Sequence, residues 1–422
     1  MVKQIRNIAV YTESNLKSIA HNKILDALIK KISPVNFHEL AGVKHDEKLT
    51  NAQLLIITIE NILQLAITNS WGICRSNNFI YLFNGAYWDL IDCEELKTFL
   101  GMAAEILGVD PFKAKHYNFR EQLFKQFIAL ANLPQPEHPS NSVFINLQNG
   151  TFEITPDGNR LRPFNSADFI TYQLPFEYNP MATTTMFTQY LNRVLPDPQR
   201  QSILAEYLGY VFVQPSTLKL EKTLLLFGSG ANGKSVFYEI VRSLLGVHNT
   251  SEYSLQSLTN DSGYYRAMIA NKLVNYASEI NGKLEASTFK QLVSGEPVEA
   301  RLPYGNPFTL NKYAKLIFNC NELPKDVEQT EAYFRRFLII PFEVTIPEHE
   351  QDKQLAQKII ATELSGIFNW VLAGLKRLLV NKQFTHCDAA EQARKQYELE
   401  SDSVKMFLHE GGYIPSPTVF IT

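Results

Sequence analysis

Residues 224–238 read LLLFGSGANGKSVFY, and this stretch decides the fold class of the chain. Four apolar residues run directly into residues 228–235, which fit the pattern G-x-x-x-x-G-K-[ST] of a phosphate-binding loop. Such a loop needs a strand before it and a helix after it, because backbone N–H groups and the helix N-terminus hold the phosphates together. TLLLF and VFYEIVRSLLG meet both needs, so the stretch predicts a nucleotide site at the end of a strand.

The loop residues have predictable roles. Lys234 is expected to reach the β- and γ-phosphate oxygens of ATP, and the Ser235 hydroxyl is expected to bind Mg²⁺. The predicted ATP-binding residues are Gly228, Ser229, Gly230, Ala231, Asn232, Gly233, Lys234 and Ser235. Kinases, GTPases, transporters, loaders and helicases share this loop. It therefore predicts that a nucleotide is bound and does not distinguish between these activities.

Strand and helix patterns alternate from residue 222 onward. The apolar runs TLLLF, KLVNYA, AKLIFNC and FLIIPF alternate with the helical patterns VFYEIVRSLLG and ASTFKQLV, which predicts an α/β fold with a mostly parallel sheet. The preceding part is predicted to be mainly helical, with amphipathic helices in ELKTFLGMAAEILGV and FREQLFKQFIAL. FIYLFNGAYWDL at residues 79–90 and VFINLQNGTFEI at residues 143–154 are predicted to form β-hairpins.

These patterns divide the chain into five predicted parts. Residues 1–60 have no assignable role, and residues 61–184 form the mainly helical domain with short hairpins. Residues 185–345 form the ATPase core and residues 346–395 a helical segment. Residues 396–422 are expected to begin a winged-helix domain that is cut short.

The composition excludes several functional classes. The chain has 422 residues, 45% of them apolar and 20% charged, with a formal net charge of −3, so any DNA contact must come from a local patch. Four cysteines lie far apart without a C-x-x-C pair, which argues against a zinc site or disulfides and fits a reducing cytosol. We find neither an uncharged apolar run of 18 residues nor a signal peptide, and therefore expect a cytoplasmic protein without membrane contact.

Polar residues follow two of the predicted strands. Glu279 comes after KLVNYA and is positioned to polarise an attacking water, while Ser278 stands where many such ATPases carry an Asp for the magnesium shell. Asn321 at the end of KLIFNCN is predicted to orient water against the γ-phosphate. Asn319 lies on the same strand face and stays an alternative.

Two adjacent arginines precede the strand FLIIPF. A guanidinium stabilises the charge of a phosphoryl-transfer transition state, and in ring ATPases it comes from the next subunit. Arg335 and Arg336 are both candidates. Adjacent residues at a strand start point to opposite faces, so we expect one finger and favour Arg336.

Taken together, these elements resemble the superfamily 3 helicases. The closest resemblance is to the C-terminal half of phage- and plasmid-type primase–helicases and to poxvirus-type primase–helicase ATPases. It covers residues 60–422, including SEIN, FKQLVSGEPVEARLPYGNPFTL, KLIFNCNELP and YFRRFLIIPF in that order. The resemblance implies a modified AAA+ core, a hexameric ring and 3′-to-5′ movement on DNA for replication of a phage, plasmid or other mobile element.

The resemblance also implies site roles. Lys234 and Ser235 correspond to the phosphate-loop pair, Glu279 to the catalytic acid, Asn321 to the polar sensor, and Arg335 or Arg336 to the arginine finger. Lys290, Glu296 and Arg301 fall in a segment that should form a hairpin in the ring channel.

The predicted channel hairpin departs from the family pattern. Relatives often place a basic residue after the aromatic residue of this hairpin, whereas this chain has Tyr304-Gly305-Asn306. The DNA grip is then expected to depend on Arg301, Lys312 or stacking by Tyr304, with Lys290 as a further candidate. A purely structural turn at PYGN is the alternative.

The N-terminal part departs as well. Relatives often carry a primase domain there, which needs paired carboxylates for metal binding. Residues 1–60 are too short for one, and His45-Asp46-Glu47 fits a solvated turn. We therefore expect no primer synthesis by this chain, and a separate primase or other replication proteins are possible partners.

Other functional classes stay open at this point. A ring ATPase could load or remodel proteins on DNA without unwinding it. A small-molecule kinase would need neither the arginine pair nor the channel hairpin, so both features disfavour it. Ser278 keeps a third class open, a nucleotide-gated binding module with weak turnover.

Overall fold

The computed structural model describes residues 18–76, 79–133, 142–278, 280, 284–303, 305–324 and 327–413. Within these ranges the chain divides into two compact units, one ending at Gln173 and the other beginning at Leu174. The finer division proposed from the sequence stays a prediction. Each unit is described by itself.

The first unit combines helices with two small antiparallel sheets. Its elements are α1 (Ile24–Ile29), α2 (Phe37–Ala41), α3 (Asn51–Thr68), β1 (Gly72–Ser76), β2 (Phe79–Phe83), β3 (Trp88–Leu90), α4 (Cys93–Leu107), α5 (Pro111–Lys115), α6 (Tyr117–Leu130), β4 (Val143–Leu147), β5 (Gly150–Thr155) and β6 (Gly158–Arg162). The fully buried residues Ile24, Ile59, Leu96 and Leu123 join α1, α3, α4 and α6 in one hydrophobic core. The described part of residues 18–60 thus packs into the same core as the helices that follow it.

Helix α3 is long and apolar enough to cross a membrane by length and composition alone. It carries one charged residue, the exposed Glu60, and begins with a capping box between Thr50 and Gln53. Its buried residues Ile57, Ile59 and Ile62 belong to the core of the first unit.

The predicted hairpins are confirmed. Strands β2 and β3 pair antiparallel around Asn84-Gly85, and Gly85 takes a positive φ of 98°. The Asn84 Oδ1 atom accepts hydrogen bonds from the backbone N–H groups of Ala86 (2.9 Å) and Tyr87 (3.0 Å), which closes the turn. Strands β4 and β5 pair antiparallel as well, and β6 extends that sheet to three strands.

The second unit has the predicted α/β order. Its elements are α7 (Thr185–Val194), α8 (Pro198–Tyr210), β7 (Thr223–Phe227), α9 (Lys234–Leu245), β8 (Thr250–Ser251), α10 (Leu255–Thr259), α11 (Tyr264–Met268), β9 (Val274–Ala277), α12 (Ala286–Ser294), β10 (Val298–Arg301), β11 (Pro307–Leu310), β12 (Lys315–Cys320), α13 (Glu331–Phe334), β13 (Phe337–Pro341), α14 (Leu355–Asn381), α15 (Asp388–Glu400) and α16 (Ser403–Glu410).

Five strands form a wholly parallel sheet in the order β13-β7-β12-β9-β8. Strand β7, which leads into the phosphate loop, therefore lies between β13 and β12. In the register, Phe227 at the end of β7 is paired with Cys320 on one side and Pro341 on the other. Side chains that follow β12 consequently meet the phosphate loop at one edge of the sheet, and residues that precede β13 lie at the opposite edge.

Helices α8 and α14 pack against each other at very close range. A Cβ atom on Gly374 would lie 2.4 Å from the carbonyl carbon of Ala205, and a Cβ atom on Gly209 would lie 2.9 Å from the Cα atom of Leu375. Only glycine permits this approach. The segment 346–395, expected to be helical, thus contains the long helix α14, which is fixed against α8.

Candidate functional site

The phosphate loop begins where β7 ends and closes where α9 starts. Gly228 donates its backbone N–H to the Cys320 carbonyl (3.2 Å), which joins the loop to the end of β12. The Ala231 carbonyl accepts a hydrogen bond from the N–H of Ile346 (2.8 Å), and the Gly233 carbonyl accepts one from the Tyr190 hydroxyl (2.9 Å). The loop is therefore held from three directions within the second unit.

Two glycines are required by the shape of the loop. Gly228 has a φ of 154°, and a Cβ atom there would lie 2.3 Å from the Phe342 carbonyl oxygen. Gly233 has a φ of 86°, and a Cβ atom there would lie 2.7 Å from a methyl group of Val194. Both contacts are too short for any side chain, so the glycines of the motif are explained by packing as well as by backbone freedom.

The Lys234 ammonium lies inside the loop. Its Nζ donates to the carbonyl oxygens of Gly228 (2.5 Å) and Ser229 (3.2 Å) and to the Asn232 side-chain oxygen (3.2 Å). Burial lowers the pKa of Lys234, although the neighbouring Cys320 opposes that shift. A buried ammonium surrounded by oxygen acceptors is well placed to exchange them for phosphate oxygens.

The other loop residues divide into a buried anchor and an exposed rim. Asn232 is buried, and its Nδ2 donates to the Phe342 carbonyl (3.1 Å) and to the Ser229 carbonyl. Ser229, Gly230, Ala231 and Ser235 are exposed. The Ser235 hydroxyl, in the first turn of α9, is therefore a hard oxygen donor open to solvent, which suits Mg²⁺.

The two asparagines at the end of β12 are in different surroundings. Asn319 is buried, and its Oδ1 accepts a hydrogen bond from the Tyr276 hydroxyl on β9 (2.9 Å). Asn321 lies one residue beyond the strand and is exposed at the edge that carries the phosphate loop. Asn319 is thus already held inside the sheet, and Asn321 is the amide that faces solvent.

The predicted catalytic acid, Glu279, lies outside the described residues. Ser278 immediately before it is exposed and follows β9, whose end is in register with β12 through Ala277 and Phe318. Ser278 therefore lies at the same edge of the sheet as the phosphate loop and Asn321.

The arginine pair lies at the opposite edge of that sheet. The Thr223 N–H, at the start of β7, donates to the Arg336 carbonyl (2.8 Å), and Phe337 is in register with Thr223. The length of β7, about 15 Å at the usual rise per strand residue, separates both arginines from the phosphate loop of their own chain.

The two guanidinium groups differ in exposure. The side chain of Arg335 is 52% exposed and forms an ion pair with Glu221 (2.8 Å). The side chain of Arg336 is 9% exposed, and its guanidinium donates to Ser294 Oγ (3.1 Å) and to the Ala332 carbonyl. Arg336 therefore has internal partners, and Arg335 faces outward.

Glu221 was not found from the sequence. It contacts Lys219 (3.3 Å) and both arginines, and it takes a positive φ of 53° that is unusual for a side chain of its size. Burial favours a higher pKa for Glu221, but Lys219, Arg336 and Arg335 together hold the pKa below its usual value. No local pattern marks this residue, because its two arginine partners come from a segment more than 110 residues away.

The predicted channel hairpin is present in the second unit. Strands β10 and β11 pair antiparallel, with Arg301 at the end of β10 opposite Pro307, and Gly305 lies in the segment that joins the two strands. Arg301 is exposed, and its Nε donates to the Gly305 carbonyl (2.9 Å). Tyr304 lies outside the described residues.

The hairpin base is held by α11. Arg266 is buried and donates to the Glu299 carbonyl of β10 (2.6 Å), while the Arg301 N–H donates to the Gly263 carbonyl (3.2 Å). This bracing gives the hairpin a fixed direction from the body of the unit.

The other predicted DNA contacts lie away from the tip. Lys290 belongs to α12 and forms an ion pair with Glu328 (2.9 Å). Lys312 lies between β11 and β12, where burial lowers its pKa to about 8. Among these candidates, Arg301 is the exposed cation on the hairpin itself.

Two family models and two curated viral relatives match parts of the chain. Residues 62–196 match the family described as D5 N terminal like, and residues 226–336 match a family of unknown function, DUF5906. A putative helicase of Invertebrate iridescent virus 3, 121R, is 22% identical over 310 residues, covering 64% of this chain and 32% of the relative. A putative helicase of Acanthamoeba polyphaga mimivirus, L207/L206, is 22% identical over 229 residues, covering 52% of this chain and 23% of the relative.

The chain thus resembles the phage and viral primase–helicases, through its D5 N terminal like region and through viral relatives that are named putative helicases. It spans about a third or less of the length of these two curated relatives. In fold, the chain is similar to the C terminal region of NrS-1, with a TM-score of 0.50 and 15% identity over 89% of this chain and 84% of the solved one. A second solved structure of that region gives the same TM-score at 14% identity, covering 83% of this chain and 76% of the other.

Proposed function

We propose that the chain is an ATP-dependent DNA helicase of the superfamily 3 type, with a modified AAA+ core that works as a hexameric ring moving 3′ to 5′. It would separate DNA strands during replication of a phage, plasmid or other mobile element. The observation that carries the proposal is the position of the arginine pair at the sheet edge opposite its own phosphate loop. A guanidinium placed there is too far from the nucleotide of its own chain, so in the proposed enzyme it would serve a nucleotide bound by the neighbouring subunit.

ATP would lie across the phosphate loop at the start of α9. Lys234 would leave the carbonyls of Gly228 and Ser229 and contact the β- and γ-phosphates, and Asn232 would keep the loop closed against Phe342. Ser235 would hold Mg²⁺, which neutralises phosphate charge when bound. Ser278 offers no carboxylate to the metal, so the proposed magnesium shell is completed by water and phosphate oxygens.

Hydrolysis would use groups from two subunits. Asn321 faces the loop edge and would orient the attacking water, with Glu279 as the acid that polarises it. Arg335 of the neighbouring copy would exchange Glu221 for the γ-phosphate, since its guanidinium is the exposed one of the pair. Arg336 would hold this arm in place through Ser294 and Ala332.

DNA would pass the hairpin formed by β10 and β11, where Arg301 would contact a phosphate.

We expect Arg301→Ala to weaken the binding of single-stranded DNA. The slope of the logarithm of the binding constant against the logarithm of salt concentration should change by about 0.7, which corresponds to the loss of about one phosphate contact. Hydrolysis of ATP without DNA should be unchanged. Fluorescence anisotropy with oligo(dT) at several salt concentrations measures both quantities.

Lys290→Ala is the matched control for the hairpin variant. Its ammonium is paired with Glu328, so the removal of this charge should change the salt slope less than the removal of Arg301. An Arg301→Ala variant with the wild-type slope would show that the hairpin does not touch the DNA backbone.

A second candidate function is a ring ATPase that loads or remodels partners on DNA. The hairpin has Gly305 where relatives often have a basic residue. This weakens the expected grip on DNA and favours the loading ATPase over the helicase. Both functions predict ATP hydrolysis stimulated by DNA, and strand displacement by the purified chain separates them.

A further inference from the structure

A corner of the first unit exposes two aromatic rings. Phe112 on α5 is 88% exposed and Tyr117 at the start of α6 is 69% exposed, more than any other aromatic side chain in the described ranges. We call Phe112, Lys113, Lys115, His116 and Tyr117 the corner patch. Rings left in water at this level are usually reserved for a ligand or partner.

The backbone of the corner patch is fixed. Asp110 caps α5 by accepting the Lys113 N–H (2.9 Å), and His116 ends α5 and caps α6 by accepting the Asn118 N–H on its Nδ1 (3.3 Å). Ala114 and Phe119 between and beside the exposed rings are buried in the core of the unit. The outward positions of Phe112 and Tyr117 therefore follow from the way the corner is anchored.

The charge of the corner patch is positive. The members of the corner patch include two lysines and no acidic residue, while Asp110 and Glu121 flank residues 111–120, in a chain of net charge −3. The Lys113 ammonium lies over the Phe119 ring at 5.2 Å, and the His116 ring lies against Tyr117 at 4.8 Å. Lys115 remains 61% exposed although it forms an ion pair with Glu105 (2.9 Å).

We propose that the corner patch is a second contact for single-stranded nucleic acid, separate from the hairpin of the ATPase unit. Phe112 and Tyr117 would stack on bases, and Lys113 and Lys115 would face the phosphates between them. Exposed aromatic rings interleaved with cations are the usual surface for single strands that are bound without sequence preference. Protein interfaces, by contrast, are depleted of lysine at their centres.

This inference rests on the proposed function only in taking DNA as the substrate. The test uses the full chain with the double substitution Phe112→Ala and Tyr117→Ala and a fluorescein-labelled oligo(dT). Affinity should fall about tenfold for each ring, which corresponds to about 1.4 kcal/mol each. ATP hydrolysis without DNA should keep its wild-type rate, because both rings are exposed and lie outside the phosphate loop.

Two controls isolate the stacking contribution. Phe112→Trp with Tyr117→Trp retains aromatic faces and should bind oligo(dT) within about twofold of the wild type. Leu40→Ala removes a comparably exposed apolar side chain from α2 and should leave the affinity unchanged. Photo-crosslinking with oligo(dT) that contains 5-iododeoxyuridine should label the peptide that carries residues 111–120.

The outcomes separate this inference from the proposed function. If the wild type binds oligo(dT) and the double alanine variant binds equally well, the corner patch is not a nucleic-acid site and the helicase proposal stands. If the variant loses affinity only because its oligomer dissociates into subunits, as light scattering would show, the patch belongs to a contact between copies of the chain. The inference is then overturned. Failure of the wild type itself to bind DNA overturns both.

Discussion

Lys234→Ala is expected to reduce ATP turnover by about 10²–10³-fold or more, because it removes the one ammonium inside the phosphate loop. The wild-type ammonium has three oxygen acceptors from the loop, and no other lysine or arginine among the described residues donates to these loop carbonyls. Release of inorganic phosphate measures the effect. The melting temperature should change little, since the freed carbonyls of Gly228 and Ser229 lie beside the exposed rim of the loop, where water can reach them.

Lys353→Ala is the control for this prediction. Lys353 is an exposed lysine of the same unit, so its removal changes the net charge equally and should leave turnover at the wild-type rate. Near-normal turnover by the Lys234→Ala variant would show that this loop does not bind the phosphates of the hydrolysed ATP.

Arg335→Ala should leave nucleotide binding intact and reduce hydrolysis by about 10³-fold or more, the usual effect of losing an arginine finger. The reason is geometric, because Arg335 faces solvent at the sheet edge away from its own loop. Mixing the subunits of two inactive variants tests catalysis between subunits more sharply than either variant alone. Combining Arg335→Ala subunits with Lys234→Ala subunits should restore part of the activity, since some interfaces then pair an intact loop with an intact arginine.

Arg336→Ala is the matched variant of the neighbouring residue. Its guanidinium is buried with Ser294 and Ala332, so its loss should lower the free energy of unfolding by about 2–3 kcal/mol. A stable Arg336→Ala variant without hydrolysis, beside a normally active Arg335→Ala variant, would make Arg336 the finger, as the sequence favours. Mixed subunits without any recovered activity would contradict catalysis in trans.

The sequence predicts the second unit well because its strands are marked locally. TLLLF, KLVNYA, AKLIFNC and FLIIPF are each apolar runs between polar or glycine-containing turns, and all four are strands of one parallel sheet. The hairpin at Asn84-Gly85 was also predictable, since its turn lies between alternating residues. These elements needed only neighbours in the sequence.

The remaining features depend on distant contacts. Asn319 is held by Tyr276, 43 residues away, and Lys290 is held by Glu328, 38 residues away. Which arginine is exposed depends on Ser294 and Glu221, which neither strand alternation nor spacing reveals. The exposure of the Phe112 and Tyr117 rings in the corner patch could not be predicted from the sequence, because apolar residues in a helical pattern are expected in the core.

Strand displacement on forked DNA tests whether this chain couples ATP hydrolysis to strand separation. Purified wild-type protein and the Lys234→Ala variant would be compared on forks that offer a 3′ tail or a 5′ tail, with the release of a labelled strand measured against time. We predict that the wild type releases the strand with ATP on the 3′-tailed fork and that Lys234→Ala releases none. Hydrolysis stimulated by DNA without release on either fork would contradict the helicase and leave the loading ATPase.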